Sequence, residues 1–573
     1  MNNPQQLLDQ ASARQLATLF ACGDEPLSAA AGAAADRLAA VLNAIDEPPL
    51  TALLQHSSAR TLADALLSPQ TNLATLTAIK DYAKHGRANI GHALHGDAGA
   101  ALYFLAIAAA LVHHGATITT RSAREQQQGF AWAARLVCEP HLAQLLNQAA
   151  ATTTPAPFDV PIQPITPTEQ QHLRPSWLPL LAYVRDLHRR SVHPAQPPLP
   201  EPWEDIGPGY CYGPAFGHWD IVHAMLDQVD LAPAHVARQL RNNFANQQPD
   251  GYLPGSIWMR REPLPWQSPT EFAKRFNTNA GHPPVWPVAV DAYFARTQDE
   301  ALLSKALAVA ERQIGWFDRE RRVGPAYFYS DILNRRWESG ADESVRFEDA
   351  PREAAIGFDA TCHVYLLMDA AARWAQQLGA VDLGLRQRAD ALAAFVQREL
   401  FSPATNFFHD HWAMHDPARR RLCFEGFWPL VVGVATPAQA AALIDQHLLN
   451  PREFLTAHPL PSVALTDPAF ELRMWRGPVW NSITYWVALG CTRYGRHDAA
   501  LTLLERALDS SAAVFAHTNA IFEFYHPHAG DPLKCQRKPH TPHNTPCRDY
   551  LGHNPLWAMA RLYAAAKTKT AAS

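Results

Sequence analysis

Cysteine is scarce in this chain: 8 in 573 residues, scattered, with no C-x-x-C pair matched by a second pair. That excludes the common cysteine zinc sites and reads as reduced thiols in a cytoplasmic protein. Charge of one sign is also missing. Lys and Arg total 49 against 54 Asp and Glu, a net charge of −5, so no basic stripe marks a nucleic-acid partner. The N-terminus, MNNPQQLLDQASARQLATLF, lacks a basic start followed by an apolar core, and so no secretory signal is expected. The longest apolar stretch, Ala98 to Val112, falls short of the roughly 20 residues that span a bilayer, and a buried helix is expected instead. Charged residues make up only 18% and hydrophobic residues 47%, enough for a large core and against global disorder.

What the chain holds in excess is aromatic and cyclic. It has 16 Trp and 46 Pro, and together they suggest ordered loops around an aromatic-lined cleft. Residues 1–150 are Ala- and Leu-rich with helical stretches and no catalytic motif, and read as a helical domain of unknown role. Residues 151–170, ATTTPAPFDVPIQPITPTEQ, are Thr- and Pro-rich with little charge, and read as a linker. From 171 to 573 helical segments alternate with long loops rich in Trp, Gly and Pro. Expected helices include Pro175–Ser191, Trp219–Gln228, Val285–Thr297, Gly357–Leu378, Gly477–Tyr494, Asp498–Ser511 and Asn554–Ala566. About twelve helices with few strands between them predict helix pairs closing into a toroid, with the functional residues in the loops at one end. An open solenoid is disfavoured, because no repeated consensus is seen.

Four loop segments carry chemistry. The first runs from Trp337 through Glu338, Ser339, Gly340, Asp342, Glu343 and Ser344 to Arg346 and Phe347. Apolar walls and neighbouring carboxylates raise a carboxyl pKa, as a general acid needs; a solvated acidic loop is the bland alternative. The second is Met474-Trp475-Arg476-Gly477-Pro478-Val479-Trp480-Asn481, either a sugar platform or a packed loop–helix junction. The third is Ile521-Phe522-Glu523-Phe524-Tyr525-His526-Pro527, in which one acid sits among aromatics and needs a partner or a function. The fourth is Gly217-His218-Trp219-Asp220, where a Trp face and an acid suit a pyranose, or a helix N-terminus holds an acid.

In combination and order, these segments resemble glycoside hydrolase family 63 over about residues 200–560, including its mannosylglycerate, glucosylglycerate and α-glucosidase-type members, and more distantly the family 37 trehalases. The family stretch E-S-G-x-D-x-S-x-R is met by Glu338, Ser339, Gly340, Asp342, Ser344 and Arg346. W-R-G-P-x-W is met by Trp475, Arg476, Gly477, Pro478 and Trp480, and L-P-S before it by Leu460, Pro461 and Ser462. E-x-Y-x-P-x-x-G is met by Glu523, Tyr525, Pro527 and Gly530. The resemblance implies an all-α (α/α)6 toroid and an inverting α-glycosidase with Asp342 as general acid and Glu523 as general base. It also implies substrate contacts at Trp219, Asp220, Trp337, Glu338, Arg346, Trp475, Arg476, Trp480 and Tyr525. No metal or cofactor is called for, and the expected partner is a small carbohydrate, an α-glucoside or α-mannoside of a sugar or glycerate. No nucleic acid or membrane partner is implied.

The trehalase signature begins at Pro208-Gly209, but the run to Asp220 is one residue too long and lacks its Arg and Glu. A trehalase is therefore an alternative reading. A non-catalytic carbohydrate-binding toroid is another, but it predicts loss of one carboxylate, and both are present. A metal enzyme built on His409-Asp410-His411 or on His526, His528, His540, His543 and His553 lacks a recognised ligand spacing. A phosphorylase would replace Glu523 with a phosphate pocket.

Overall fold

The computed structural model describes residues 171, 173–211, 214–259, 283–334, 337–539 and 543–572. The helical domain expected over 1–150 and the linker over 151–170 lie outside the described residues. The chain divides into two compact units, and all the elements below belong to the one formed by Val160–Gln536 and Cys547–Ser573.

Twelve helices of this unit alternate between an outer and an inner layer. The outer ones are α1 (Leu178–Arg190), α3 (Pro233–Ala245), α5 (Glu300–Glu320), α7 (Leu385–Glu399), α9 (Pro437–Ala442, continued by a wider turn over Leu443–Leu448) and α11 (His497–Thr518). The inner ones are α2 (His218–Gln228), α4 (Trp286–Thr297), α6 (Phe358–Gln377), α8 (Trp428–Val432), α10 (Asn481–Arg493) and α12 (Leu556–Ala572). Each inner helix packs on the next, and α12 returns to pack on α2, so the inner ring closes. This is the (α/α)6 toroid. The ring is sealed by large buried side chains such as Trp286, Trp486 and Trp557, each at most 1% exposed. Burying such rings is worth about 1.5–3 kcal/mol each.

The helices start where the sequence places start signals. Proline occupies the first turn of α1, α3, α4, α8 and α9, where its missing N–H has no helical partner to lose. Helix α9 carries a capping box between Thr436 and Gln439. Three boundaries differ most from expectation; one is α12, which runs on past Ala566 to Ala572. Helix α10 begins at Asn481 rather than 477, because Val479 pairs with Pro461 and Tyr525 and Trp480 is extended backbone. Helix α11 continues to Thr518, past Ser510-Ser511, and ends where Asn519 adopts a left-handed φ of 51°. Among the described residues four short two-stranded sheets lie in the loops; in one, β1 (Ala215–Gly217) pairs antiparallel with β2 (Ser256–Trp258) and leads directly into α2. Among the described residues, no helix is long and apolar enough to cross a membrane.

Candidate active site

The N-terminal ends of the inner helices, with the loops before them, bring the motif segments together. Trp219 and Asp220 lie in the first turn of α2, and Asn481 and Ser482 open α10. His553 stands just ahead of α12. The loops are joined edge to edge. The main chain of Ser462 pairs with Phe424 and Pro478, and Gly477 N–H donates to the Ser462 hydroxyl at 2.8 Å. Val479 and Tyr525 exchange two backbone hydrogen bonds at 2.9 and 2.8 Å. Glu523 N–H donates to Cys547 O at 2.8 Å, and Cys547 N–H donates to the Glu523 carboxylate at 3.1 Å. Thus L-P-S, W-R-G-P-x-W and the glutamate segment form one hydrogen-bonded ladder, which fixes Glu523 from both its main chain and its side chain.

Asp220 is the electrostatic centre. It is 4% exposed and accepts the Tyr550 hydroxyl at 2.6 Å. Burial is the largest influence on it and raises its pKa. Tyr550 works the other way, and the Glu523 and Asp342 carboxylates both raise it, for a value pushed up to about 7. The two candidate catalytic acids therefore both lie within charge range of Asp220. Glu523 is 2% exposed, whereas Asp342 is half-buried. Gly552 makes this packing possible: a Cβ there would lie 2.3 Å from the Asp220 carboxylate.

Three tryptophans make the aromatic wall. Trp475 and Trp480 stack on each other with centroids 3.8 Å apart and planes at 1°, and Trp219 tilts against Trp475 at 6.4 Å. The two Trp of W-R-G-P-x-W thus form a double layer rather than flanking Arg476. Trp428, at the start of α8, extends the wall from Trp219 at 6.2 Å.

The acid loop is pinned on both sides of Asp342. Glu338 accepts from Arg321 at 2.7 Å and from Ser330 N–H at 2.6 Å. Ser339 binds Asp331 through its N–H at 2.9 Å and its hydroxyl at 2.8 Å. Glu343 pairs with Arg473, and Ser344 donates to Glu425 at 2.7 Å. Arg346, 3% exposed, grips Asp410 at 3.0 Å and Asp359 at 2.7 Å, between the rings of Phe347 and Phe358. From outside, Arg476 donates to Glu348 at 2.6 Å and to Glu471 at 3.1 Å. Tyr525 gives its hydroxyl to Asn554 at 3.0 Å and accepts Phe522 N–H at 3.1 Å. Glu338, Arg346, Arg476 and Tyr525, expected on the substrate, each also bond within the chain, while Glu338 Oε1 and Arg476 Nε are buried without a hydrogen-bond partner. Such burial is tolerable only with partners of this kind. Trp337 is 37% exposed, at the outer end of the same loop. Asp410, central to the His409-Asp410-His411 run, belongs to Arg346, and among the described residues no group of three or more metal-ligating side chains is placed to hold an ion.

The sequence reading missed the segment Asp549 to Asn554. Tyr550 holds Asp220, and Gly552 admits it. His553 meets Trp219, and Asn554 donates to Phe522 O at 2.8 Å and to Tyr550 O at 2.6 Å. No local signal marked it: the Gly-His pair at 552–553 matches Gly217-His218, but the same pair also stands at 91–92 and 281–282.

A family model for the mannosylglycerate hydrolase MGH1-like glycoside hydrolase domain matches residues 214–541, more than half of the chain. A mannosylglycerate hydrolase MGH1 from Selaginella moellendorffii is 35% identical over 106 residues, 18% of this chain and 20% of the relative. A mannosylglycerate hydrolase from Thermus thermophilus is 36% identical over 107 residues, 18% of this chain and 24% of the relative. The chain thus spans only about a fifth to a quarter of the length of these curated relatives. The crystal structure of a family 63 mannosylglycerate hydrolase from Thermus thermophilus with Tris and D-glycerate is 17% identical and superposes with a TM-score of 0.52, covering 68% of this chain and 100% of that one. At that identity the likeness shows the fold, the same toroid. The chain belongs to the MGH1-like glycoside hydrolase family.

Proposed function

We propose that this protein hydrolyses the α-glycosidic bond of a small α-mannoside or α-glucoside, with a sugar or glycerate as the leaving group, and inverts the anomeric configuration. The observation that supports the reading is that Asp220 lies within charge range of both Asp342 and Glu523, near a wall of stacked tryptophans. Asp342 gives a proton to the glycosidic oxygen. Glu523 takes a proton from a water that attacks the anomeric carbon on the opposite face. An inverting pair leaves room for that water, roughly 6.5–9.5 Å between carboxyls. Asp220 accepts from sugar hydroxyls, and the tryptophan faces exclude water and hold the pyranose ring.

The matched relatives are named as mannosylglycerate hydrolases, which favours a glycerate aglycone. Arg346 is held by the buried Asp410 and Asp359, and Arg476 by the more exposed Glu348 and Glu471, which argues against either as its receiver. The test is a panel of α-mannosylglycerate, α-glucosylglycerate, simple α-glycosides and trehalose, scored for released monosaccharide in wild type, Asp342→Asn and Glu523→Gln. Release from a glycerate or small α-glycoside, reduced at least about 10²-fold by either substitution, is expected. No release from any of them, or full activity in either variant, contradicts the reading.

A further inference from the structure

His553 lies at the hub of the sugar wall. Its ring meets the edges of Trp480 at 4.6 Å, Trp475 at 5.4 Å and Trp219 at 5.5 Å, and lies parallel to Tyr550 with centroids 5.9 Å apart. Nothing in the acid/base reading uses this imidazole, yet it touches all three wall tryptophans and the tyrosine that holds Asp220.

Its two nitrogens are assigned by their partners. The Trp219 indole N–H can only donate, and it meets His553 Nε2 at 3.0 Å, so Nε2 carries a lone pair. In the neutral ring the proton is then on Nδ1, which donates to the Ser482 hydroxyl at 2.7 Å. Ser482 is itself fixed, because its N–H donates to the His553 carbonyl at 3.0 Å in the first turn of α10. The same Nε2 lies 3.5 Å from the Asp220 carboxylate.

We propose that His553, held as the Nδ1–H tautomer by the Trp219 indole N–H at Nε2 with Ser482 completing Nδ1, is a positioning residue that fixes Trp219 as the sugar-stacking face and sets its angle to Trp475 and Trp480. The proposal rests on the glycosidase reading for its kinetic consequence but not for its structural one. A platform held in place before the sugar arrives contributes equally to ground and transition states, so its loss raises KM more than it lowers kcat.

The experiment compares His553→Gln, His553→Phe and Ser482→Ala in the full chain. Gln keeps an acceptor near the Nε2 position; Phe keeps the packing and removes both bonds. His553→Phe is expected to raise KM about tenfold with kcat within about threefold, the size of one or two neutral hydrogen bonds. His553→Gln should stay within about threefold of wild type, and Ser482→Ala should fall between the two. In parallel, ¹⁵N NMR of the histidine rings, with the His553 signals assigned by their loss in His553→Gln, should show Nδ1 protonated and Nε2 bare in wild type. An unchanged KM in His553→Phe, damage in His553→Gln equal to that in His553→Phe, or an Nε2–H ring overturns the proposal. If wild type cleaves no glycoside, the hydrolase reading fails while the tautomer still decides the position of His553. If His553→Phe does not fold, Ser482→Ala and the wild-type tautomer decide.

Discussion

Two buried carboxylate clusters in this toroid use the same residue types to opposite ends. Around Arg346, Asp359 and Asp410 are paired to one guanidinium, and Glu425 lies 3.8 Å from it. Around Asp220 the neighbours are Glu523, Asp342 and the Tyr550 hydroxyl, and no arginine or lysine bonds to it among the described residues. Both clusters carry excess acid: burial pushes Asp410 up to about 7, with Arg346 pulling it down and Asp359 raising it, and Asp220 reaches a similar value. The difference lies in what opposes the crowding. In the first it is a charge that is part of the scaffold. In the second it is the Tyr550 hydroxyl and a backbone N–H, with no scaffold arginine or lysine among them. On the proposed reading, the E-S-G-x-D-x-S-x-R stretch is a clamp with one working member. Its Glu, two Ser and Arg anchor the loop so that Asp342 stands where it does.

The largest effect expected from this contrast is on Arg346. Arg346→Met leaves three buried carboxylates without their cation and should cost about 3–5 kcal/mol, seen as a collapse of Tm or loss of soluble protein. A mild loss would mean that the clamp is dispensable.

Asp220→Asn should do the reverse. Its folded pKa of about 7 lies above the ordinary 3.8, so whatever this carboxyl contributes to stability is complete below 3.8 and lost as the pH rises through 7. At pH 8 the Asn variant should melt no lower than wild type, while kcat/KM falls about 10–100-fold through the lost charged contacts to the sugar. A Tm drop as large as that of Arg346→Met would make Asp220 scaffold and erase the distinction.

A third cluster sharpens the comparison, because histidines stand between its acids. His188 sits between Glu204 at 2.6 Å and Asp227 at 3.1 Å, and His235 reaches Glu204 at 2.8 Å. Burial works against the charged His188, but Glu204 and Asp227 hold it at about 9, above 6.5. Burial would raise Glu204, yet the two histidines bring it to about 2, below 4.5. The His188 contribution is complete below pH 6.5 and lost as the pH rises through 9. The Glu204 contribution is complete above pH 4.5 and lost as the pH falls through 2. Tm against pH should therefore be highest between these limits and decline towards pH 9, and His188→Gln should flatten the alkaline decline. An alkaline slope identical in that variant would remove His188 from the account.

Much of this architecture was legible in the chain. Helix number and length pointed to the toroid, and four loop segments in order pointed, by resemblance, to Asp342, Glu523, Trp219 and Asp220 as candidates. The functions of Arg346, Arg476 and Tyr525 were not legible, because their partners lie elsewhere in the chain: Asp410 and Glu425 for Arg346, Glu348 for Arg476, Asn554 for Tyr525. A motif marks residues that must be present without saying which of them face solvent. Tyr550, Gly552 and His553 were missed for a related reason. Their effect comes from packing against α2 and α10 across the closure of the ring, which no local pattern encodes.

The central claim is that Asp342 and Glu523 divide the acid and base roles across one glycosidic bond. Proton NMR of the sugar first released from an α-glycoside, recorded before mutarotation, tests it most directly. The β-anomer appearing first is the predicted result, because water activated by Glu523 attacks the face opposite the leaving group. The α-anomer appearing first would mean that configuration is retained through a covalent intermediate, and Glu523 would not be the base.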